Sequence, residues 1–313
     1  MTSALQRSAA QPPTAPPAPA TAGRARRSGS YINLMYIPAI ILFAVFVLYP
    51  LIQGIGLAFT NWDGYSPDKK FVGLDNFARL FTDTTFLTAL RNTLLYGFGC
   101  TVLQQILGLA LALALDGGGR LRTGARAIIY LPVLVSPVVM GMMYSFLFQY
   151  DRGALNDILV SIGVPRVAWL SSGAGAVAII ILINTLQFVG LSMVIYLAGL
   201  QSIGTEVYEA AEIDGARGWK LLTTITIPLL RASFISSMII NLIGGLKLFD
   251  VIQVLTGGGP GYASHSVSTL IGRTYFGQQA AGYASAMGVA LFILIAVVSV
   301  FLVARMDRSG RDA

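Results

Sequence analysis

Residues 209–228 read Glu209-Ala210-Ala211-Glu212-Ile213-Asp214-Gly215-Ala216-Arg217-Gly218-Trp219-Lys220-Leu221-Leu222-Thr223-Thr224-Ile225-Thr226-Ile227-Pro228. The stretch is a polar island between two long apolar runs. Glu206, Glu209 and Glu212 recur every third residue, so they share one edge of a short helix. Ala210 and Ala211 carry little bulk, which lets that helix sit close to a partner surface. Gly215 permits a backbone reversal, and residues 216–222 then form a second short helix with Trp219 as an apolar anchor. Pro228 suits the first turn of the next helix, where a missing N–H is tolerated.

The flanking runs identify the solvent. Of 313 residues, 55% are hydrophobic and only 11% charged, against about 25% charged in soluble domains. Mean hydropathy is +0.71. A membrane helix needs about 20 mostly apolar residues. Six segments qualify, at 32–58, 90–115, 126–148, 175–198, 231–254 and 283–305. No segment alternates long enough for a barrel strand, and lipid offers no partner to open backbone groups. The fold class is therefore all-α, a bundle of six transmembrane helices. Residues 31–313 form this domain, with a polar loop at 199–230 and a Gly-rich loop at 255–282. Residues 1–30 carry Pro12, Pro13, Pro16, Pro17 and Pro19 among small polar residues and form a disordered tail. The basic run Arg24, Arg26, Arg27 precedes an apolar stretch too long for a signal peptide, so the first span is uncleaved.

Charge sets the orientation. With the N-terminus inside, thirteen basic residues face inward: Arg7, Arg24, Arg26, Arg27, Arg120, Arg122, Arg126, Arg217, Lys220, Arg231, Arg305, Arg308 and Arg311. Seven face outward: Lys69, Lys70, Arg79, Arg91, Arg152, Arg166 and Arg273. Lys247 lies within a span. The inner excess places both termini in the cytoplasm, and the 199–230 loop with them. The net charge of +7 is spread over span ends rather than gathered in one basic face, which argues against nucleic acid. Cys100 and His265 are the only residues of their kind, so an internal disulfide and a Cys- or His-rich metal site are excluded.

The 209–228 stretch resembles the EAA loop of permease subunits in binding-protein-dependent ABC importers: Glu-Ala-Ala, three residues, Gly, nine residues, Ile, one residue, Leu-Pro. Glu209, Ala210, Ala211, Gly215, Ile225 and Pro228 fall in register; Ile227 replaces Leu. Asp214 and Ala216 resemble the Asp-Gly-Ala centre of the sugar branch, the maltose/glycerol-phosphate-type permeases. Residues 249–260 resemble that branch's signature after the fifth span, through Phe249, Asp250, Leu255, Thr256, Gly258, Gly259 and Pro260. Tyr49-Pro50-Leu51, Ala58 to Trp62, Gly73 to Phe77, Asn92-Thr93-Leu94, Leu131-Pro132 and Gly282 to Ala286 extend the resemblance from about residue 32 to the C-terminus.

The resemblance implies a type I ABC importer permease bundle, N-in and C-in, in the cell membrane among lipid. It implies import of a sugar or related polyol delivered by an extracytoplasmic solute-binding protein. The partners would be a second homologous permease and two ATPase subunits. Glu209, Ala210, Ala211, Asp214, Gly215, Ala216 and Pro228 would couple the chain to the ATPase. ATP and Mg would sit on the partner subunits; this chain lacks a Gly-x-x-x-x-Gly-Lys-Ser/Thr phosphate loop and is not itself an enzyme.

Other residues carry two readings each. Asn184 and Gln187, Asn241, and Lys247 with Asp250 lie within the spans. They either line a solute path or hydrogen-bond the bundle together, as do Gln104 and Gln105. Asn184 and Gln187 favour the path, and Lys247 and Asp250 are spaced to pair. Thr256, Gly258, Gly259 and Pro260 end a helix and turn the chain, either as a stop or as part of an outer gate or docking surface. Pro132 and Pro137 bend the third span, shaping a cavity or merely the packing. Leu74, Phe77 and Phe81, with Asp75 as cap, describe a short outer helix, lying on the membrane or packed in the loop. Two other classes compete: a stand-alone secondary carrier, which lacks visible internal repeats, and an intramembrane serine protease built on Ser192 and His265.

Overall fold

The computed structural model describes residues 29–311, with side chains described over 36–304. The expected tail lies outside these residues up to position 28, as do Arg7, Arg24, Arg26 and Arg27. The chain divides into two units, Met1–Pro50 and Leu51–Ala313. In the first, α1 (Gly29–Phe43) continues through a π-helical turn, Ala44–Leu48, toward α2 (Tyr49–Leu57). Tyr36–Leu57 is long and apolar enough to cross a membrane.

In the second unit, which starts within α2 at Leu51, a short α3 (Asp75–Leu80) and a long α4 (Thr84–Leu115) follow. Asp75 is not the cap of α3: Leu74 holds that position and Asp75 is the first helical residue. Phe77 packs against Phe59 with ring centroids 5.3 Å apart and the planes tilted by 50°, whereas Leu74 and Phe81 are exposed. α4 starts earlier than hydropathy suggests because Asp83 caps it, accepting the amides of Thr85 and Phe86 at 2.9 and 3.2 Å. At its far end Arg126 donates to the carbonyls of Leu115 and Gly117, and Arg122 to that of Asp116 at 2.6 Å. These guanidiniums satisfy carbonyls that the helix end leaves open, at its negative pole.

The third expected span is two helices, α5 (Arg120–Leu134) and α6 (Pro137–Phe148), bent by 99°. Pro137 opens α6 in its first turn, where no N–H is needed. A short α7 (Ala154–Ser161) leads to α8 (Gly173–Gln201), capped by Ser172 Oγ on Gly175 N at 3.1 Å. The polar island follows as α9 (Thr205–Ile213), α10 (Gly218–Leu221), a π-helical turn Leu222–Thr226 and α11 (Ile227–Leu229). The fifth span is α12 (Arg231–Leu246) and α13 (Asp250–Leu255), interrupted at residues 247–249. α14 (Val267–Gly272) lies in the Gly-rich loop, and α15 (Ala281–Arg311) closes the bundle. Five helices can cross a membrane, or six with the bent pair as one span; no strand occurs among the described residues.

α4, α8 and α12 form the centre. A Cβ added to Gly97 would lie 2.6 Å from Leu246 Cδ2, and one on Gly245 2.9 Å from Gly97 Cα. Small residues thus bring α4 and α12 to backbone contact, the usual source of helix affinity in lipid. Polar bonds add to it. Gln105 Oε1 accepts from Tyr196 OH at 3.1 Å and Ser237 Oγ at 2.8 Å, and Gln105 Nε2 donates to Phe234 O at 3.1 Å. Gln105 therefore joins three helices.

Candidate functional site

α9 presents Glu206, Glu209 and Glu212 on its exposed side. The helix ends on Gly215, whose φ of +75° lies in the left-handed region. Ala216 N then donates back to Ala211 O at 2.9 Å, a helix-terminating turn of the glycine type. The two alanines part company here. Ala210 is exposed, but Ala211 is 3% exposed and packs inward, as does Ala216. Only Ala210 is available to a partner surface. Ile213 and Trp219 are 86% and 76% exposed, so two large apolar side chains share the segment's exposed surface with the glutamates. The second helix spans only Gly218–Leu221 before the π-helical turn. Pro228 lies in α11, ahead of α12 rather than in its first turn; the turn before it closes with Ile227 N on Leu222 O.

Within the bundle, a cavity of about 210 Å³ is lined by Gln104, Asn184, Asn241, Lys247 and Asp250, with Phe188 and Phe249 as aromatic walls. The break at 247–249 is what opens this wall. Gln104 Nε2 donates to Asn184 O at 3.1 Å and Asn184 Oδ1 at 3.3 Å. Asn241 Nδ2 donates to Ser192 Oγ at 2.7 Å and Ser237 Oγ at 3.3 Å. Lys247 and Asp250 both face the cavity, but no ion pair joins them, contrary to the expectation from spacing. Gln187 is not part of this group. It is fully buried, and its Nε2 donates to Val135 O at 3.1 Å, at the α5–α6 break. The structure thus gathers four of the five expected path residues. It adds Gln104, which span position alone did not separate from Gln105. Amides, aromatic faces and two uncoupled charges form a lining that can hydrogen-bond and stack on a polyhydroxyl solute.

The Gly-rich loop is a built element rather than a bare stop. Thr256 Oγ1 takes Gly258 N at 3.1 Å and meets Ser264 Oγ at 2.9 Å. Gly258 has φ +86°, and a methyl there would overlap the imidazole of His265. The Gly259–Pro260 peptide is cis. His265 is 2% exposed, bonded through Nδ1 to Thr269 Oγ1 at 2.9 Å. Burial, and secondly the nearby Arg273 charge, hold its pKa below the ordinary histidine value. α4 anchors the loop backbone: Asn92 Nδ2 donates to Ala263 O at 2.7 Å and His265 O at 3.1 Å, and Tyr96 OH to Ser264 O at 2.8 Å. In sequence Asn92 carried no more than a family likeness; its bonds cross 171 and 173 positions, beyond any local pattern.

The protease arrangement is absent. Ser192 is fully buried with its hydroxyl held by Asn241, and His265 is bonded within the loop. A nucleophile needs its base within hydrogen-bond reach.

Comparison with known proteins agrees with this architecture. The family described as "Binding-protein-dependent transport system inner membrane component" matches residues 104–311. The chain is 33% identical to the probable ABC transporter permease protein YurN of Bacillus subtilis, over 89% of this chain and 96% of that one. It is 34% identical to the diacetylchitobiose uptake system permease protein NgcF of Streptomyces coelicolor, over 86% and 80%. A bacterial alginate ABC transporter, solved in complex with an alginate pentasaccharide-bound periplasmic protein, superposes with TM-score 0.76 at 28% identity, over 87% and 92%.

Proposed function

Because the chain belongs to the binding-protein-dependent transport system inner membrane component family, we propose that it lines half of the membrane path of an ATP-driven importer for a sugar or related polyol. A second, homologous permease supplies the other half. Two ATPase subunits carry ATP and Mg, and an extracytoplasmic binding protein delivers the solute. Both termini and the 205–229 segment are cytoplasmic.

The observation that carries this reading is the exposed side of α9 and α10. Ile213 and Trp219 stand out of the bundle beside Glu206, Glu209 and Glu212. Leaving such apolar surface in water is unfavourable, and a partner subunit would bury it. ATP closes the ATPase dimer, the two docked segments approach, and the bundle turns from inward- to outward-facing. Solute then enters the cavity between α4, α8 and α12, where Asn184 and Asn241 offer amides to its hydroxyls. Resetting after hydrolysis releases it inside. Relatives named for diacetylchitobiose uptake and for alginate import support a carbohydrate.

The test is purification through a tag on this chain, followed by reconstitution into vesicles. ATPase subunits should co-purify, and uptake should require ATP and a solute-loaded binding protein. Solute movement by this chain alone, without ATP, would sink the proposal.

A further inference from the structure

We propose that a groove between the N-terminal halves of α4 and α8 is a binding site for one anionic phospholipid, with Arg91 on the phosphate. The groove is open and has a volume of about 360 Å³. Leu95, Val177, Ala178 and Ile181 give it an apolar lining, in which Ala178 has the smallest side chain of the four. At one end stand Thr88 and Arg91, both exposed. No hydrogen bond, ion pair or ring contact within the described residues engages Arg91. Its neighbours show the contrast: Arg79 lies over the Tyr283 ring and Arg273 over that of Tyr262.

Depth favours a lipid. α4 has 32 residues, about 48 Å at 1.5 Å each, against a hydrocarbon core of about 30 Å. The excess falls at its N-terminal end, where Thr84, Thr85, Thr88 and Arg91 cluster; residues 102–115 are apolar except for Gln104 and Gln105. Arg91 therefore reaches the headgroup boundary while the trough below it runs into the acyl region. A charged head above an apolar tail is the shape and charge of an anionic phospholipid, and the basic group without a protein partner complements its phosphate. Ala263 borders the same groove, so an occupant would brace the loop that Asn92 anchors.

The site is independent of the solute. The experiment uses the assembly purified through this chain, delipidated and titrated with phosphatidylglycerol or phosphatidylcholine, with bound lipid counted by native mass spectrometry. Arg91→Ala should weaken phosphatidylglycerol binding roughly fivefold and leave phosphatidylcholine unchanged. Ala178→Phe, which fills the trough while retaining Arg91, should remove one bound lipid of either kind. In the delipidated state the thermal midpoints of both variants should match wild type. Equal phosphatidylglycerol preference in wild type and Arg91→Glu would overturn the proposal. So would a disulfide from Ala178→Cys to another subunit, since Cys100 is buried and the groove would then be a protein interface.

Discussion

The Gln187 side-chain amide donates to the carbonyl oxygen of Val135 at 3.1 Å, joining the middle of α8 to the break between α5 and α6. Three residues earlier on the same helix, Asn184 lines the cavity instead. The two amides sit in different surroundings, and mutation should separate them. Gln187→Met should lower thermal stability by about 1 kcal/mol: it leaves a carbonyl unpaired but also removes the buried, unpartnered Gln187 Oε1. Solute affinity should be untouched. Asn184→Ala should raise the KM for uptake severalfold with little change in the thermal midpoint. A KM change in Gln187→Met equal to that in Asn184→Ala would refute this division.

Gly258 and Gly257 make a matched pair. Both have positive φ, +86° and +56°, but only Gly258 abuts His265; nothing lies within 4 Å of a Cβ on Gly257. Gly257→Ala should cost about 1 kcal/mol in strain alone. Gly258→Ala should cost roughly 2–5 kcal/mol, because overpacking against a buried ring adds to strain. Equal losses in thermal denaturation would mean that the imidazole contact is not limiting.

Acid should loosen the same loop. The folded chain keeps His265 neutral below its ordinary pKa, so stability is fully present above the unfolded value of about 6.5. As pH falls through that value, the unfolded chain takes up a proton that the folded one resists, and stability declines. Asp83 acts in a separate window. Burial raises its pKa, but the Tyr283 hydroxyl and the amides of Phe86 and Thr85 outweigh this and lower it. Its contribution is present above about pH 4 and fades as pH falls through the depressed folded value. His265→Gln should flatten the decline in thermal midpoint between about pH 7 and 5.5, and Asp83→Asn should not. A decline unchanged in His265→Gln would assign it elsewhere.

The neighbouring alanines of α9 should respond oppositely to enlargement. Ala211→Leu forces bulk against the chain's own interior and should cost about 1–3 kcal/mol. Ala210→Leu leaves the fold intact and should impair ATPase binding. Co-purification set beside thermal unfolding distinguishes them. An Ala211→Leu protein of wild-type stability that loses the ATPase would reverse the assignment.

What sequence revealed was local chemistry. Long apolar runs, the polar island, the Gly215 reversal and the Pro132–Pro137 bend each follow from a residue's own backbone or solvation preferences. The 99° angle of that bend was not readable, since it depends on packing and on Gln187 from a distant helix. Gln104 and Gln105 are adjacent and chemically identical; which one meets the cavity depends on how α4 is rotated against α8 and α12. Lys247 and Asp250 were spaced to pair on a continuous helix, but the interruption at 247–249 removes that register. Pro228 was placed one element too late because a π-helical turn leaves no mark in hydropathy.

The central claim is that the exposed segment after α8 couples ATP hydrolysis to movement of the cavity. The most direct measurement is the ratio of solute taken up to ATP hydrolysed in reconstituted vesicles, for wild type, Glu209→Lys and Gly215→Asp. The account predicts that both variants fold and insert normally, while either the ATPase is lost from the complex or uptake per ATP falls at least tenfold. Uptake per ATP equal to wild type in both variants would contradict it.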